Sequence, residues 1–324
     1  MYKKFFGLKE NPFNVNPDPR YLFLTNHTQE ALACLTYGIE TRKGFILLTG
    51  EVGTGKTTLI NRLLEWLNKE NVSTAFVFNP RLSISQFFDF MMADFGIPCE
   101  SKQKGQMLVR LNQWLLERYR AGERAVLIVD EAQTLSPQML EEIRLLTNLE
   151  TSTEKLLQIV LSGQPELEQK LNQPQLRQLR QRITLRAKTR QLTLEETQGY
   201  IQERLRIAGA QNIEIFSPEA IATVHHYARG IPRVTNLLCE HGLVSAFVDQ
   251  RNPVPPEIIE EVAHDFDLHV VDPTAQAPAQ PPPVHTNGDN PPMIESLLQA
   301  LNTLVDRLNQ AETAVESDRE KKPQ

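Results

Sequence analysis

Long apolar runs are missing from this sequence of 324 residues. No window approaches the ~18 consecutive apolar residues that a membrane-spanning helix needs, so no span is expected. The opening stretch MYKKFFGLKENPF places two lysines ahead of an apolar segment that Lys9 and Glu10 interrupt at once. An export leader requires an unbroken apolar core at that place, and none is expected. Cysteine is scarce: Cys34, Cys99 and Cys239 stand far apart without paired spacing, which argues against a disulfide framework and fits reduced thiols in a cytoplasmic protein. A zinc cluster is not expected either. His225 and His226 are adjacent and so point different ways on a helix, and Cys239 and His241 are equally ill-spaced for one ion. An excess of positive charge is also absent. The formal net charge of −6 argues against a general nucleic-acid coat while leaving room for local basic patches. Apolar residues, by contrast, make up 40% of the chain, enough for a sizeable core, and the length suggests about two domains.

Along the chain the pattern changes three times. Residues 1–24 are rich in Asn, Pro and aromatics and read as an ordered arm with turns. A helical stretch from His27 to Lys43 is followed by GFILLTG, a short apolar run ending in glycine that fits a buried parallel strand. Similar runs recur as STAFVF at 73–78, AVLIVD at 125–130, LLQIVLSG at 156–163 and RITLRA at 182–187, with amphipathic helical stretches between them. Strands alternating with helices predict an α/β domain with a mostly parallel sheet, residues 1–191 with the arm included. After Gln191 four helical stretches follow, with Thr193 and Glu196 as a capping box and Ser217 before Pro218 as a second start. They predict an all-helical second domain over 192–268. Residues 269–292 are proline-rich and read as an extended linker. Over 293–324, Ile294, Leu297, Leu301, Leu304 and Leu308 alternate spacings of three and four, a heptad seam suited to self-association or to docking on a partner.

GEVGTGKTTL, residues 50–59, fits G-x-x-x-x-G-K-[ST] at Gly50, Gly55, Lys56 and Thr57, with a strand before it and a helix after it. Such a loop turns backbone N–H groups toward phosphates, and the helix adds its positive dipole end. The nucleotide-binding set is Gly50, Glu51, Val52, Gly53, Thr54, Gly55, Lys56, Thr57 and Thr58. Lys56 is expected to reach the β- and γ-phosphates of ATP, and the Thr57 hydroxyl to ligate Mg²⁺. Asp130 and Glu131 close the strand AVLIVD at its carboxyl end, where open α/β sheets bind ligands. Asp130 is expected to hold Mg²⁺, and Glu131 to orient and deprotonate the attacking water. Ser162 and Gln164, at the end of LLQIVLSG, are each able to contact the γ-phosphate or that water. Arg177, Arg180, Arg182, Arg186, Lys188 and Arg190 form a run without acids, either a solvated basic face or the source of an arginine that reaches a neighbouring subunit's nucleotide.

Taken together and in order, the P-loop, VDEAQ, SGQPEL, LRQRI and GIPR make the chain resemble an AAA+ ATPase. The N-terminal FFGLKENPF and the pairing of GQPEL with LRQR are similar, more narrowly, to ATPases of the GspA/ExeA type associated with type II secretion. The resemblance runs to about residue 266. It implies a P-loop NTPase fold with an all-helical lid, Gln164 as the sensor-1 residue, Arg180 or Arg182 as the arginine finger of a homo-oligomer, and Arg233 of GIPR touching the nucleotide from the lid. Secretion ATPases of this group often continue into a transmembrane helix and a periplasmic region. Here a proline-rich linker and a heptad helix stand in that place. The chain is therefore expected to serve an envelope or secretion complex through a membrane-bound partner, from the cytoplasm. The alternative is a DNA-binding ATPase resembling the regulators of transposition, supported by the basic run and opposed by the net charge.

Overall fold

Five short apolar segments build the centre of the molecule, because strands buried on both faces need side chains that avoid water in both directions. The structure, a computed structural model, describes residues 1–14, 16–78, 82–98 and 103–268. The linker 269–292 and the heptad seam at 293–324 lie outside the described residues. The strands are β1 (Phe45–Thr49), β2 (Ser73–Val77), β3 (Ala125–Val129), β4 (Leu157–Gly163) and β5 (Ile183–Lys188). All neighbours run parallel in the order β2-β3-β4-β1-β5. Each coincides with one of the five apolar runs read from the sequence, and β1, β3 and β4 are buried at every residue.

Among the described residues, eight α-helices precede or interleave with the strands: α1 (Tyr2–Phe5), α2 (Asn26–Glu40), α3 (Lys56–Lys69), α4 (Ile84–Asp94), α5 (Lys104–Arg120), α6 (Pro137–Leu146), α7 (Pro165–Leu171) and α8 (Arg177–Arg182). Successive strand residues point to opposite faces, and the burial follows. Phe45, Leu47, Leu127, Val129, Ile159 and Leu161 pack with Phe87, Met91, Leu111, Leu115, Leu140 and Leu179 of the helices on one side. Ile46, Leu48, Val126, Ile128 and Val160 pack with Leu35 and Ile39 of α2 and Leu59, Ile60 and Leu63 of α3 on the other. Each such side chain removed from water contributes ~1.5–3 kcal/mol, which fixes the register of a sheet that has no polar face to trade. The basic run is divided between two elements: Arg177 and Arg180 stand on the short helix α8, Arg186 and Lys188 on the edge strand β5.

Beyond β5 come α9 (Leu194–Ile207), α10 (Pro218–Ala228), α11 (Pro232–Val248) and α12 (Pro256–Asp265). Thr193 and Glu196 form the reciprocal capping box, and Ser217 caps α10 through Ala220 N–H. These helices enclose a separate core that includes Ile201, Leu205, Phe216, Leu238, Leu243 and Ile259. The N-terminal arm, grouped with the sheet in the sequence reading, shares this helical core: Phe6, Leu8 and Phe13 are buried in it. Polar contacts hold the arm in place. Tyr2 Oη and Asn11 Nδ2 donate to Glu240 at 2.9 and 3.0 Å, and Lys9 N–H donates to the Ala208 carbonyl at 2.8 Å.

Candidate nucleotide site

β1 delivers the chain into the loop at residues 50–55, and α3 starts at Lys56 with Gly55 as its left-handed N-cap. Lys56 is 7% exposed, and its Nζ donates to the carbonyls of Gly50 and Glu51 at 2.8 and 2.9 Å. Burial lowers its pKa, opposed by the nearby carboxylates of Glu131, Asp130 and Glu51. A buried ammonium satisfied mainly by loop carbonyls favours an anionic ligand beside it. Gly50 owes its identity to close approach rather than to its backbone angles: a Cβ there would stand 2.0 Å from Thr189 Oγ1. Thr189, between β5 and α9, donates its N–H to the Thr49 carbonyl at 2.9 Å and shares a hydrogen bond with Thr54 Oγ1 at 2.7 Å. The loop is thereby tied to the segment that leads into the helices.

The two acids after β3 occupy different environments. Asp130 is 4% exposed. Its Oδ1 accepts from Ser162 Oγ at 2.7 Å and from Glu131 N–H at 2.9 Å, and its Oδ2 accepts from Thr57 Oγ1 at 3.2 Å. Ser162 is fully buried and orients Asp130, so of the two β4 candidates only Gln164 borders the cavity. A hydroxyl and a carboxylate side by side form the all-oxygen donor pair that suits Mg²⁺, so these residues fit the ion that the resemblance implies. Glu131 has φ +53° and ψ +33°, a left-handed backbone that strains a non-glycine residue by ~1–3 kcal/mol and is common at functional sites. Its Oε2 accepts from Gln133 Nε2 at 2.5 Å and from Gln164 Nε2 at 3.3 Å.

A cavity of about 380 Å³ opens between the loop, the arm and the helices. Val52, Gly53, Thr54, Gly55, Lys56, Thr57, Thr58, Glu131, Gln164 and Arg233 line it, as the sequence led one to expect. Gly50, Glu51 and Asp130 stand outside the lining but adjoin it through Lys56 and Thr57. Arg233 is the second residue of α11, and its N–H donates to the Gly53 carbonyl at 3.2 Å. Arg180 and Arg182 do not line the cavity. Arg180 is exposed and donates to Asn172 Oδ1 at 3.1 Å, whereas Arg182 donates to Thr147 Oγ1 and, at 2.7 Å, to Asn148 Oδ1 at the end of α6.

Several lining residues went unnoticed in the sequence. Asn14, Asp18, Tyr21 and Phe23 of the arm, and Tyr200, Arg204 and Asn236 of the helices, also line the cavity. Arg204, 5% exposed, donates to the carbonyls of Pro12 at 2.6 Å and Asn14 at 3.3 Å and to Tyr200 Oη at 2.9 Å, with its guanidinium 4.4 Å from the Tyr21 ring centroid. The density of Asn, Pro and aromatic residues in the arm was the available signal, but its partners are remote in sequence. Gln133 was visible in VDEAQ and carries no signature of its own outside the three-dimensional arrangement.

A glycine loop between a central parallel strand and a helix, two acids closing the neighbouring strand, and a helical layer over the loop define an ATPase-type P-loop protein. Residues 39–171 match the family model described as an AAA domain, so the chain carries an AAA domain. The particular resemblance to ATPases of the GspA type is borne out by General secretion pathway protein A of Aeromonas hydrophila, 46% identical over 248 residues, which are 76% of this chain and 45% of that protein. The chain thus spans about half the length of that curated relative. Among solved structures, the Aeropyrum pernix ORC2 protein in its ADPNP–ADP complexes superposes with a TM-score of 0.59 at 16% identity, covering 79% of this chain and 71% of that one. Cdc6p from Pyrobaculum aerophilum gives 0.59 at 16%, covering 74% and 66%, and Drosophila ORC bound to DNA gives 0.59 at 17%, covering 79% and 64%. At these identities the likeness is one of fold.

Proposed function

We propose that this chain hydrolyses ATP in the cavity above the P-loop and uses the cycle to drive or regulate assembly of a secretion or other cell-envelope complex. The observation that carries the catalytic part is the continuous hydrogen-bonded set Thr57–Asp130–Glu131–Gln164 beside the buried Lys56. Loop N–H groups and the start of α3 bind the phosphates, and Lys56 exchanges its carbonyl partners for phosphate oxygens. Thr57 and Asp130 hold Mg²⁺, which supplies charge neutralisation at the phosphate oxygens. Glu131 takes the proton of the attacking water, and Gln164 senses the γ-phosphate from the end of β4. Residues 24–191 act as the core, and 192–268 with the arm packed on them as a lid whose Arg233 reads the same nucleotide. Arg180 is the better placed of the two finger candidates, being exposed and held by one neutral amide, while Arg182 is engaged at the end of α6. That choice makes the working form a homo-oligomer. The envelope role rests on the kinship with General secretion pathway protein A. The heptad seam from Ile294 to Leu308 is its contact to a membrane-bound partner, and the chain acts from the cytoplasm.

The test is a pair of substitutions read by nucleotide titration and steady-state turnover. Lys56→Ala abolishes ATP binding, and Glu131→Gln keeps binding and stops hydrolysis. Normal turnover by Glu131→Gln removes the base assignment. Duplex DNA binding that weakens steeply with salt and disappears when Arg177, Arg180 and Arg186 become alanine would favour the DNA-regulator reading instead.

A further inference from the structure

We infer that Gln133 is a positioning residue that clamps one oxygen of the Glu131 carboxylate and so leaves the other aimed at the attacking water. The inference rests on the reading of Glu131 as the base. Gln133 lies outside the cavity lining and therefore acts through Glu131 rather than on the nucleotide. Its amide orientation is determined by its neighbours. Oε1 accepts from the Gln164 N–H at 3.1 Å, and Nε2 donates to Glu131 Oε2 at 2.5 Å. The flipped amide would set an oxygen against a carboxylate and an N–H against an N–H, so both contacts would become repulsive.

Three further features hold the clamp in place. Lys170 Nζ donates to the carbonyls of Gln133 and, at 2.8 Å, of Leu135, pinning the 3-10 turn Ala132–Thr134. Gly163 makes room for the amide, since a Cβ there would come within 2.8 Å of Gln133 Oε1. Glu131 itself begins the turn in the left-handed region, with φ +53°. Gln133 and Gln164 both donate to the same oxygen, Oε2, and Oε1 has no hydrogen-bond partner among the described residues. Donors to an ionised carboxylate make the stronger class of hydrogen bond. Two of them on one oxygen restrict the rotation of the carboxylate about its last torsion, so the other oxygen keeps a single direction.

Gln133→Met keeps the length of the side chain and removes both amide groups. It is expected to lower kcat by ~10–100-fold, the range that a small misplacement of a reacting group produces, with KM and the ATP dissociation constant within about twofold of wild type. Gln133→Glu, when ionised, still accepts from the Gln164 N–H and sets a second negative charge against Glu131 in place of a donor. It should show the same kcat loss, and it serves as the readout if the methionine variant fails to fold. Crystal structures without nucleotide should show the Glu131 carboxylate displaced from Gln164 Nε2 in the variant and in place in the wild type. Wild-type kcat with the carboxylate in place overturns the inference while an inactive Glu131→Gln leaves the base assignment standing. A parallel loss of ATP affinity also overturns it. Glu131→Gln at wild-type turnover removes the base assignment and the inference with it.

Discussion

Arg180 and Arg182 sit two positions apart on one short helix, and replacing each with alanine should give opposite signatures. Arg182 Nη1 reaches Thr147 Oγ1 and Asn148 Oδ1, so its loss frees two polar side chains and the C-terminal end of α6. Hydrogen bonds from a charged donor are worth about 1.5–3 kcal/mol. Arg182 is half-exposed, which takes the expectation to the lower end, ~1–1.5 kcal/mol, and lowers Tm by ~2–5 °C. Arg180 is exposed and bonded to a surface asparagine, and its removal should stay within about 0.5 kcal/mol in stability. Turnover should reverse the order. If Arg180 completes a neighbour's site, Arg180→Ala loses ~10³-fold or more in kcat, the scale of an arginine finger, with ATP affinity nearly unchanged. Arg182→Ala should keep turnover within a few-fold once assayed below its Tm. Thermal melts, nucleotide titration and turnover on the same preparations separate the two. Mixing Arg180→Ala with Lys56→Ala chains should restore part of the activity, because each supplies what the other lacks. Full turnover by Arg180→Ala, with Arg182→Ala inactive but folded, refutes the assignment.

Gly53→Ala places a Cβ 2.8 Å from Arg233 Cβ and 3.0 Å from Ile231 Cγ2 at φ +80°, a backbone state that disfavours a side chain by ~1–2 kcal/mol. The start of α11 must then back away from the loop, and ATP affinity measured by calorimetry should fall ~10-fold or more; an unchanged dissociation constant would show that the contact does not matter for binding. Glu168 offers a pH test. Burial acts to raise its pKa, but the Thr49 hydroxyl at 2.6 Å and the Lys188 ammonium at 2.9 Å prevail and hold it low. A depressed folded pKa stabilises above the unfolded value of ~4.3, and that stability is lost as pH falls through the folded one. Glu168→Gln should therefore lower Tm at neutral pH and approach the wild type below pH ~4, whereas a Tm difference independent of pH would contradict the charge-based account.

Much of this architecture is written locally. GFILLT, AVLIVD and LLQIVLSG are apolar on both faces, so a buried parallel sheet is nearly the sole place for them, and the P-loop glycines mark their own turn. The helices after Gln191 carry starts and stops that act within one turn, such as Thr193 with Glu196. What stayed hidden depends on partners far along the chain. The arm reads as turns, yet its place is decided by Phe6, Leu8 and Phe13 entering a core made by residues after 190, and by Arg204 reaching back to Pro12. Arg180 and Arg182 look equivalent in LRQLRQR, and only the approach of α6 to α8 distinguishes them. Gln133 gains its place from the Gln164 N–H and Lys170, neither of which a local pattern can supply.

The chain passes between the sheet and the helical layer twice. Leu22 packs with the sheet-side cluster and Phe23 with the helical one, and farther on Ala187 belongs to the first and Leu192 to the second. A door hung at one point can swivel in any direction; hung at two points it turns about the line that joins them. The covalent crossings at 22–23 and 188–191 define such a line, and residues from both border the cavity. Relative motion of the two layers would then be a rotation about one axis that borders the cavity, opening or closing the space between the loop and the arm in a single turn.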